Sequence, residues 1–255
     1  MIHKSFDKSE ELINPIYTLK ESDIKIASKH KIDVFIIVFS HRLIDLLKEK
    51  EIIEIINKDL KLGTGAFKDY VYRIKDTNIG VFLSGIGAPV AVASIEELSA
   101  LFNCKNYIVF GSCGALVEIE EAKIIIPNYA YRDEGTSYHY TDEGSFIEIK
   151  NSKKLAKIFD ELEVDYVVGK TWTTDAFYRE TKNNKESRVK DGCICVEMEC
   201  SALQAVCDFR GLQLYQFVYA ADSLNDTWLR RILGEMENDS RLAYFSLAKQ
   251  VALKL

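Results

Sequence analysis

The sequence has 255 residues, 47% of them hydrophobic and 28% charged, and a formal net charge of −6 from 39 acidic and 33 basic residues. A single α/β domain of this length is routine, and the composition excludes a chain too polar to bury a core. The acidic balance argues against a general nucleic-acid binder, whose affinity rests on excess lysine and arginine, yet leaves room for a small anion held by a local cluster of positive groups.

Residues 1–30 read as a peripheral N-terminal segment of a single domain spanning 1–255. The segment is polar at its start, carries Glu10 and Glu11, and lacks the apolar stretch of a secretory signal. No apolar run approaches the roughly 20 residues that cross a bilayer, so a cytoplasmic protein without a membrane partner is expected. Residues 34–39 predict a buried strand. Residues 41–57 predict a helix, with Leu43, Ile44, Leu46, Leu47, Ile52, Ile53, Ile55 and Ile56 on its apolar face. Strands are expected at 70–74 and 79–83, then an Ala-rich helix at 89–102. A strand at 107–110, another at 123–127 and a helix at 152–162 follow. The pattern closes with a strand at 166–168, a helix at 199–209, a strand at 214–221 and a helix at 242–255.

Continuous apolar strands separated by helices predict a sheet covered on both faces, hence a three-layer α/β domain with a partly parallel central sheet. In such folds ligands collect at the carboxyl ends of the strands. The six cysteines form no CxxC pair, and the four histidines do not cluster with them; small buried residues are predicted there, with neither disulfide nor metal.

Four strand ends carry chemistry. Ser84-Gly85-Ile86-Gly87-Ala88-Pro89 and Gly111-Ser112-Cys113-Gly114 are glycine turns that bring backbone N–H groups close to a ligand. Neither matches a dinucleotide or ATP fingerprint. Val196-Glu197-Met198-Glu199 puts two carboxylates around a methionine. They are either acids favoured at a helix N-terminus or acceptors for vicinal sugar hydroxyls. Ala221-Asp222 ends a strand, where an acid is either a helix cap or, with its pKa raised by burial, a general acid. Residues 171–178 add Trp172, Phe177 and Tyr178, either core aromatics or a surface for a flat base.

In that order, these four motifs resemble the nucleoside phosphorylase family, which includes purine nucleoside phosphorylases, uridine phosphorylases and methylthioadenosine nucleosidases. The resemblance runs from about Asp33 to the C-terminal helix. It implies a central mixed, partly barrel-like sheet flanked by helices, and a homo-oligomer (dimer or trimer of dimers). It implies that Glu199 and Met198 bind ribose with Glu197 close by, and that Asp222 acts on N7 of a purine. Gly85, Gly87, Ser112 and Arg42 would surround phosphate. Trp172 and Phe177 would lie against the base, and Arg230 or Arg231 would assist Asp222. No cofactor or metal is implied; inorganic phosphate is the co-substrate.

The chain also departs from the pattern. Val38-Phe39-Ser40-His41-Arg42 replaces a Gly-Asp-Pro element followed by arginine, and Val109 stands where a second phosphate arginine is usual. His41, Arg42, Arg73 and Arg132 remain as cationic candidates. The Gln-Arg pair that reads uracil is absent after Phe177-Tyr178, which favours a purine. The expected activity is phosphorolysis of a purine nucleoside. A uridine phosphorylase, a hydrolytic nucleosidase and a nucleoside-binding protein with reduced chemistry are the alternatives. Residues 132–140 resemble a polar family loop.

Overall fold

The computed structural model describes residues 5–63, 68–225 and 227–255. In chain order the elements are α1 (Pro15–Thr18), α2 (Glu21–Ala27), β1 (Val34–Val38), α3 (His41–Glu49), β2 (Ile53–Ile55), β3 (Lys61–Leu62), β4 (Asp69–Tyr70), β5 (Tyr72–Ile74), β6 (Ile79–Leu83), α4 (Ala88–Phe102) and β7 (Asn106–Ala115). They continue with β8 (Ile124–Asp133), β9 (Phe146–Glu148), α5 (Ser152–Glu161), β10 (Tyr166–Thr174), α6 (Lys182–Lys190), β11 (Cys193–Glu197), α7 (Cys200–Arg210), β12 (Gln213–Ser223) and α8 (Asn238–Ala252).

The sheet runs β11-β10-β8-β12-β7-β1-β6-β5-β2, with β9 added to β8. It closes on itself where β11 returns antiparallel to β7 through Cys195↔Ala115 and Val196↔Gly114. Strands β11, β10, β8, β12 and β7 therefore form a barrel, and β1, β6, β5 and β2 extend from it as an open sheet. This is the mixed, partly barrel-like sheet expected. Side chains alternate along β1: Val34, Ile36 and Val38 pack toward α3, α5 and α8, while Phe35 and Ile37 pack toward α2, α4 and α7. The two buried clusters are the two interlayer cores, which is why β1 reads as apolar at every position.

Two boundaries differ from expectation. The helix predicted over 41–57 stops at Glu49, because Glu51 takes a left-handed φ of 53° that no helix continues through. The isoleucines beyond it form β2, antiparallel to β5, where β-branched side chains suit a half-buried edge. The short strand at 166–168 extends to Thr174, so Trp172 lies within β10 rather than beyond its end. The elements α1, α2, β9 and α6 lack a strong apolar period and are not visible in the sequence pattern. All six cysteines are buried and unpaired, and among the described residues no helix is long and apolar enough to cross a membrane.

Candidate active site

The barrel rim assembles the acidic motifs around one residue. Gly114 of β7 pairs with Val196 of β11 on one side and with Asp222 of β12 on the other. The turn carrying Glu197, Met198 and Glu199 and the end of the strand carrying Asp222 thus meet at the same edge. A Cβ on Gly114 would lie 2.5 Å from Leu224 Cδ1 and 3.1 Å from Val196 Cγ1, so glycine lets these side chains close over the strand, with Asp222 Oδ1 in ordinary contact at 3.4 Å.

Glu199 is 8% exposed, and its Oε1 accepts the Gly87 N–H at 2.6 Å. Gly87 starts α4 with a φ of 102°, a conformation that glycine adopts without strain. The glycine turn after β6 is therefore a ligand of the acidic motif as well as a candidate cradle. Burial pushes the Glu199 carboxyl up to about 8, helped by the neighbouring Glu197 and opposed by the Gly87 N–H. Met198 between the two acids is half-buried.

Glu197 has a different role from the ribose contact suggested by the resemblance. Its Oε1 accepts from Thr173 Oγ1 (2.6 Å) and Thr171 Oγ1 (3.2 Å), and its Oε2 accepts the N–H groups of Glu199 (2.7 Å) and Cys200 (2.6 Å). It ties the start of α7 to β10 and has both oxygens committed within the protein. Burial raises its pKa and these donors lower it. Removing the carboxylate in Glu197→Ala takes the acceptor from four buried donors, of which only Thr171 Oγ1 keeps another, the Cys195 carbonyl. The expected loss is about 3 kcal/mol, a fall in Tm of about 6–12 °C for a chain of this size. Thermal melting of the purified variant checks it.

Asp222 is aimed by a bulge. The β12–β7 register runs Ala220↔Cys113 and then Asp222↔Gly114, so Ala221 is the extra residue. Burial raises the Asp222 pKa; the Trp228 indole and the charge of Arg231 lower it. Trp228 Nε1 donates to Asp222 Oδ2 at 2.9 Å, a partner that sequence reasoning missed because only its distance along the chain relates the two. Arg230 instead pairs with Glu235 at 3.2 Å and donates to the Leu233 carbonyl, so the arginine expected beside the acid points elsewhere. Arg231 donates to the Ile119 carbonyl and acts on Asp222 only through its charge.

The expected base platform also divides. Trp172 is 1% exposed, packs with Leu116, Cys193 and Val196, and donates its indole N–H to Asp133 at 2.9 Å. A base cannot stack on a ring with no open face, so Trp172 is a core residue. Phe177, in the turn after β10, is 50% exposed and lies 4.0 Å from the Tyr178 ring.

The glycine turn Gly111-Ser112 opens onto a cavity of about 410 Å³ that also takes in Ser40, His41, Arg42, Ile86, Ala221 and Arg241. Ile86 precedes Gly87, whose N–H Glu199 accepts, and Ala221 precedes Asp222, so the cavity wall holds the chain neighbour of each acid's anchor. Gly85 is buried within its turn, while Ser112 is exposed. Arg42 stands 3.6 Å from Glu49 and donates to Asn238. Two other cationic candidates are occupied elsewhere. Arg132, 2% exposed, donates to Ser137 and to the carbonyls of Thr141, Glu143 and Gly144, which makes it the organiser of its loop. Arg73 is bound to Glu54 at 2.5 Å. Among the described residues no group of three or more His, Cys, Asp or Glu is disposed to hold a metal ion.

Residues 33–246 match the Phosphorylase superfamily. A purine nucleoside phosphorylase, DeoD-type 1, from Shewanella oneidensis is 31% identical over 168 residues, covering 64% of this chain and 71% of that protein. The crystal structure of purine nucleoside phosphorylase from Toxoplasma gondii in complex with immucillin-H superposes with a TM-score of 0.70 at 19% identity, over 96% of this chain and 98% of that one. Futalosine hydrolase of Helicobacter pylori also superposes with a TM-score of 0.70, at 16% identity over 88% of this chain and 98% of that one.

Proposed function

The chain belongs to the phosphorylase superfamily, a family of nucleoside phosphorylases and nucleosidases, and we propose that it cleaves a purine nucleoside with phosphate to give free base and ribose 1-phosphate. The observation that carries this reading is that Gly114 pairs on one side with Val196, at the start of the motif that carries Glu199, and on the other with Asp222, near a cavity lined by cations.

Breaking an N-glycosidic bond builds positive charge on the ribose and negative charge on the base. A phosphate oxygen forms the new bond to C1′ as the C1′–N9 bond breaks, and its electron pair leaves with the purine. Asp222 offers a proton or hydrogen bond to N7 of that leaving group; burial, which raises its pKa, suits it to the task. Glu199 accepts the 2′ and 3′ hydroxyls, and Met198 lies against the sugar. Phe177 supplies the half-exposed aromatic face for the base. Glu197 is a positioning residue that sets the turn from which Met198 and Glu199 project. This chemistry calls for no redox cofactor and no metal.

A purine is supported by Asp222 itself and by Arg179-Glu180 following Phe177-Tyr178, where a uracil-reading Gln-Arg pair would stand. The relative from Shewanella oneidensis bears the name of a purine enzyme. The test is a panel of inosine, guanosine, adenosine and uridine, assayed with and without phosphate. Purine release that depends on phosphate and yields ribose 1-phosphate is expected. Equal rates in phosphate-free buffer, with ribose as the product, would replace phosphorolysis by hydrolysis.

A further inference from the structure

The two acids and the glycine turns leave one requirement of the proposed reaction unmet. A phosphate dianion needs fixed positive partners, and Val109, where an arginine was expected, is fully buried in an apolar cluster. The cavity beside Ser112 contains a cation that the motif pattern does not point to. Arg241 enters it from α8, 201 residues after Ser40, just beyond the end of β1. Its Nη1 donates to Ser40 Oγ at 3.2 Å and its Nε to the Met236 carbonyl at 3.1 Å. Neither partner carries charge. Among the described residues no carboxylate lies within ion-pair distance of Arg241, and none lines the cavity. In a chain with a net charge of −6, a partly buried guanidinium held in place without a counter-ion is a prepared anion ligand.

Three further groups face the same space. Arg42 stands on the β1 side, its pair with Glu49 half exposed and weak. The nine-residue helix α3 starts there, capped by the same Ser40 hydroxyl that receives Arg241, so its positive end points at the cavity. Tyr219 opposes Ser112 across the β12–β7 ladder; burial raises its phenol pKa while the charge of Arg241 lowers it, so the phenol remains a protonated donor beside the guanidinium.

We propose that this cavity binds a phosphate dianion with Arg241 as its principal ligand, so that α8 supplies the charge the strand ends lack. The inference rests on the nucleoside-cleaving reading above. Inorganic phosphate and the 5′-phosphate of a nucleotide substrate present the same oxygens to a guanidinium, and the test separates them.

Arg241→Gln and Arg241→Lys are compared with the unaltered chain in phosphate-free buffer. Melting there at the unaltered temperature establishes that each variant is folded, and the lysine variant retains the charge if the glutamine variant does not fold. With inorganic phosphate as ligand, KM for phosphate rises about 10–100-fold in Arg241→Gln and less in Arg241→Lys. KM for the nucleoside at saturating phosphate stays within about twofold. The upward shift of Tm that phosphate produces in the unaltered protein is lost. If the unaltered protein instead cleaves a nucleoside 5′-monophosphate without added phosphate, and Arg241→Gln raises KM for that nucleotide but not for its nucleoside, the cavity assignment stands while phosphorolysis falls. The assignment is overturned if Arg241→Gln matches the unaltered protein in phosphate KM, phosphate-induced Tm shift and nucleotide KM. It is equally overturned if the unaltered protein responds to neither form of phosphate.

Discussion

Asp222→Asn is expected to lower kcat for purine nucleoside cleavage by about 10²–10⁴-fold, the contribution usual for a positioned proton donor. The substitution keeps the size and the hydrogen-bonding reach of the side chain but removes its acid. The bulge at Ala221 and the space over Gly114 are unaffected, so the variant should melt no lower than the parent. It should melt slightly higher where the parent carboxylate is ionised, because burial raises the Asp222 pKa and ionisation is then unfavourable in the folded state. The assignment has a specific control. A 7-deazapurine nucleoside has no N7 to protonate, so on that substrate the parent and Asp222→Asn should be equally slow. Full activity of Asp222→Asn on inosine would remove Asp222 from the mechanism. A deficit of the same size on the 7-deaza substrate would make its role structural.

The second large effect is expected at Glu199. Hydrogen bonds to a charged acceptor contribute about 1.5–3 kcal/mol, so Glu199→Gln should reduce kcat/KM by about 10²-fold on ribonucleosides. The penalty should shrink on 2′-deoxynucleosides, which offer one hydroxyl fewer. This residue also predicts a pH dependence. Its folded pKa, raised to about 8 by burial and by Glu197, lies above the unfolded value of 4.5. The folded state therefore holds the proton more tightly. The stability this contributes is complete below about pH 4.5 and is lost as pH rises through 8, with a slope of up to about 1.4 kcal/mol per pH unit. Melting curves from pH 5 to 9 should fall more steeply for the parent than for Glu199→Gln. Some slope should persist in the variant, because burial raises the Glu197 pKa as well. Nucleoside binding should release protons near pH 7, since two hydroxyl donors favour the ionised carboxylate. A flat melting profile for the parent, or no proton release, would contradict this account of Glu199.

The motifs were legible because their chemistry is local. Gly85, Gly87, Glu199 and Asp222 follow apolar runs that the sequence pattern marks as strands, and strand ends are where an α/β sheet presents its ligands. The layers were legible too, since β1 and β6 are buried at every position. Trp172 was misread as a platform because its strand runs six residues beyond the apolar stretch 166–168, carried by threonines whose hydroxyls are satisfied by Glu197. Glu197 looked like a second sugar ligand because a sequence does not reveal that both carboxylate oxygens are already committed.

By itself the sequence determined the class of fold, the order of its chemical motifs and the pair of carboxylates, Glu199 and Asp222, that the proposed cleavage uses. These follow from side-chain periodicity and from residue types at turns, which act over a few positions. Only the tertiary structure decided which charges share a cavity. Closure of β11 onto β7 set Val196, at the head of the Glu199 motif, and Asp222 on either side of one glycine, and packing of α8 against the sheet brought Arg241 to Ser40. Hydrogen bonds act within about 3 Å and Coulombic attraction in water is screened within about 10 Å, whereas the partners here lie roughly 80 to 200 residues apart in the chain. No spacing rule relates such residues until the core has folded and set the distances between them.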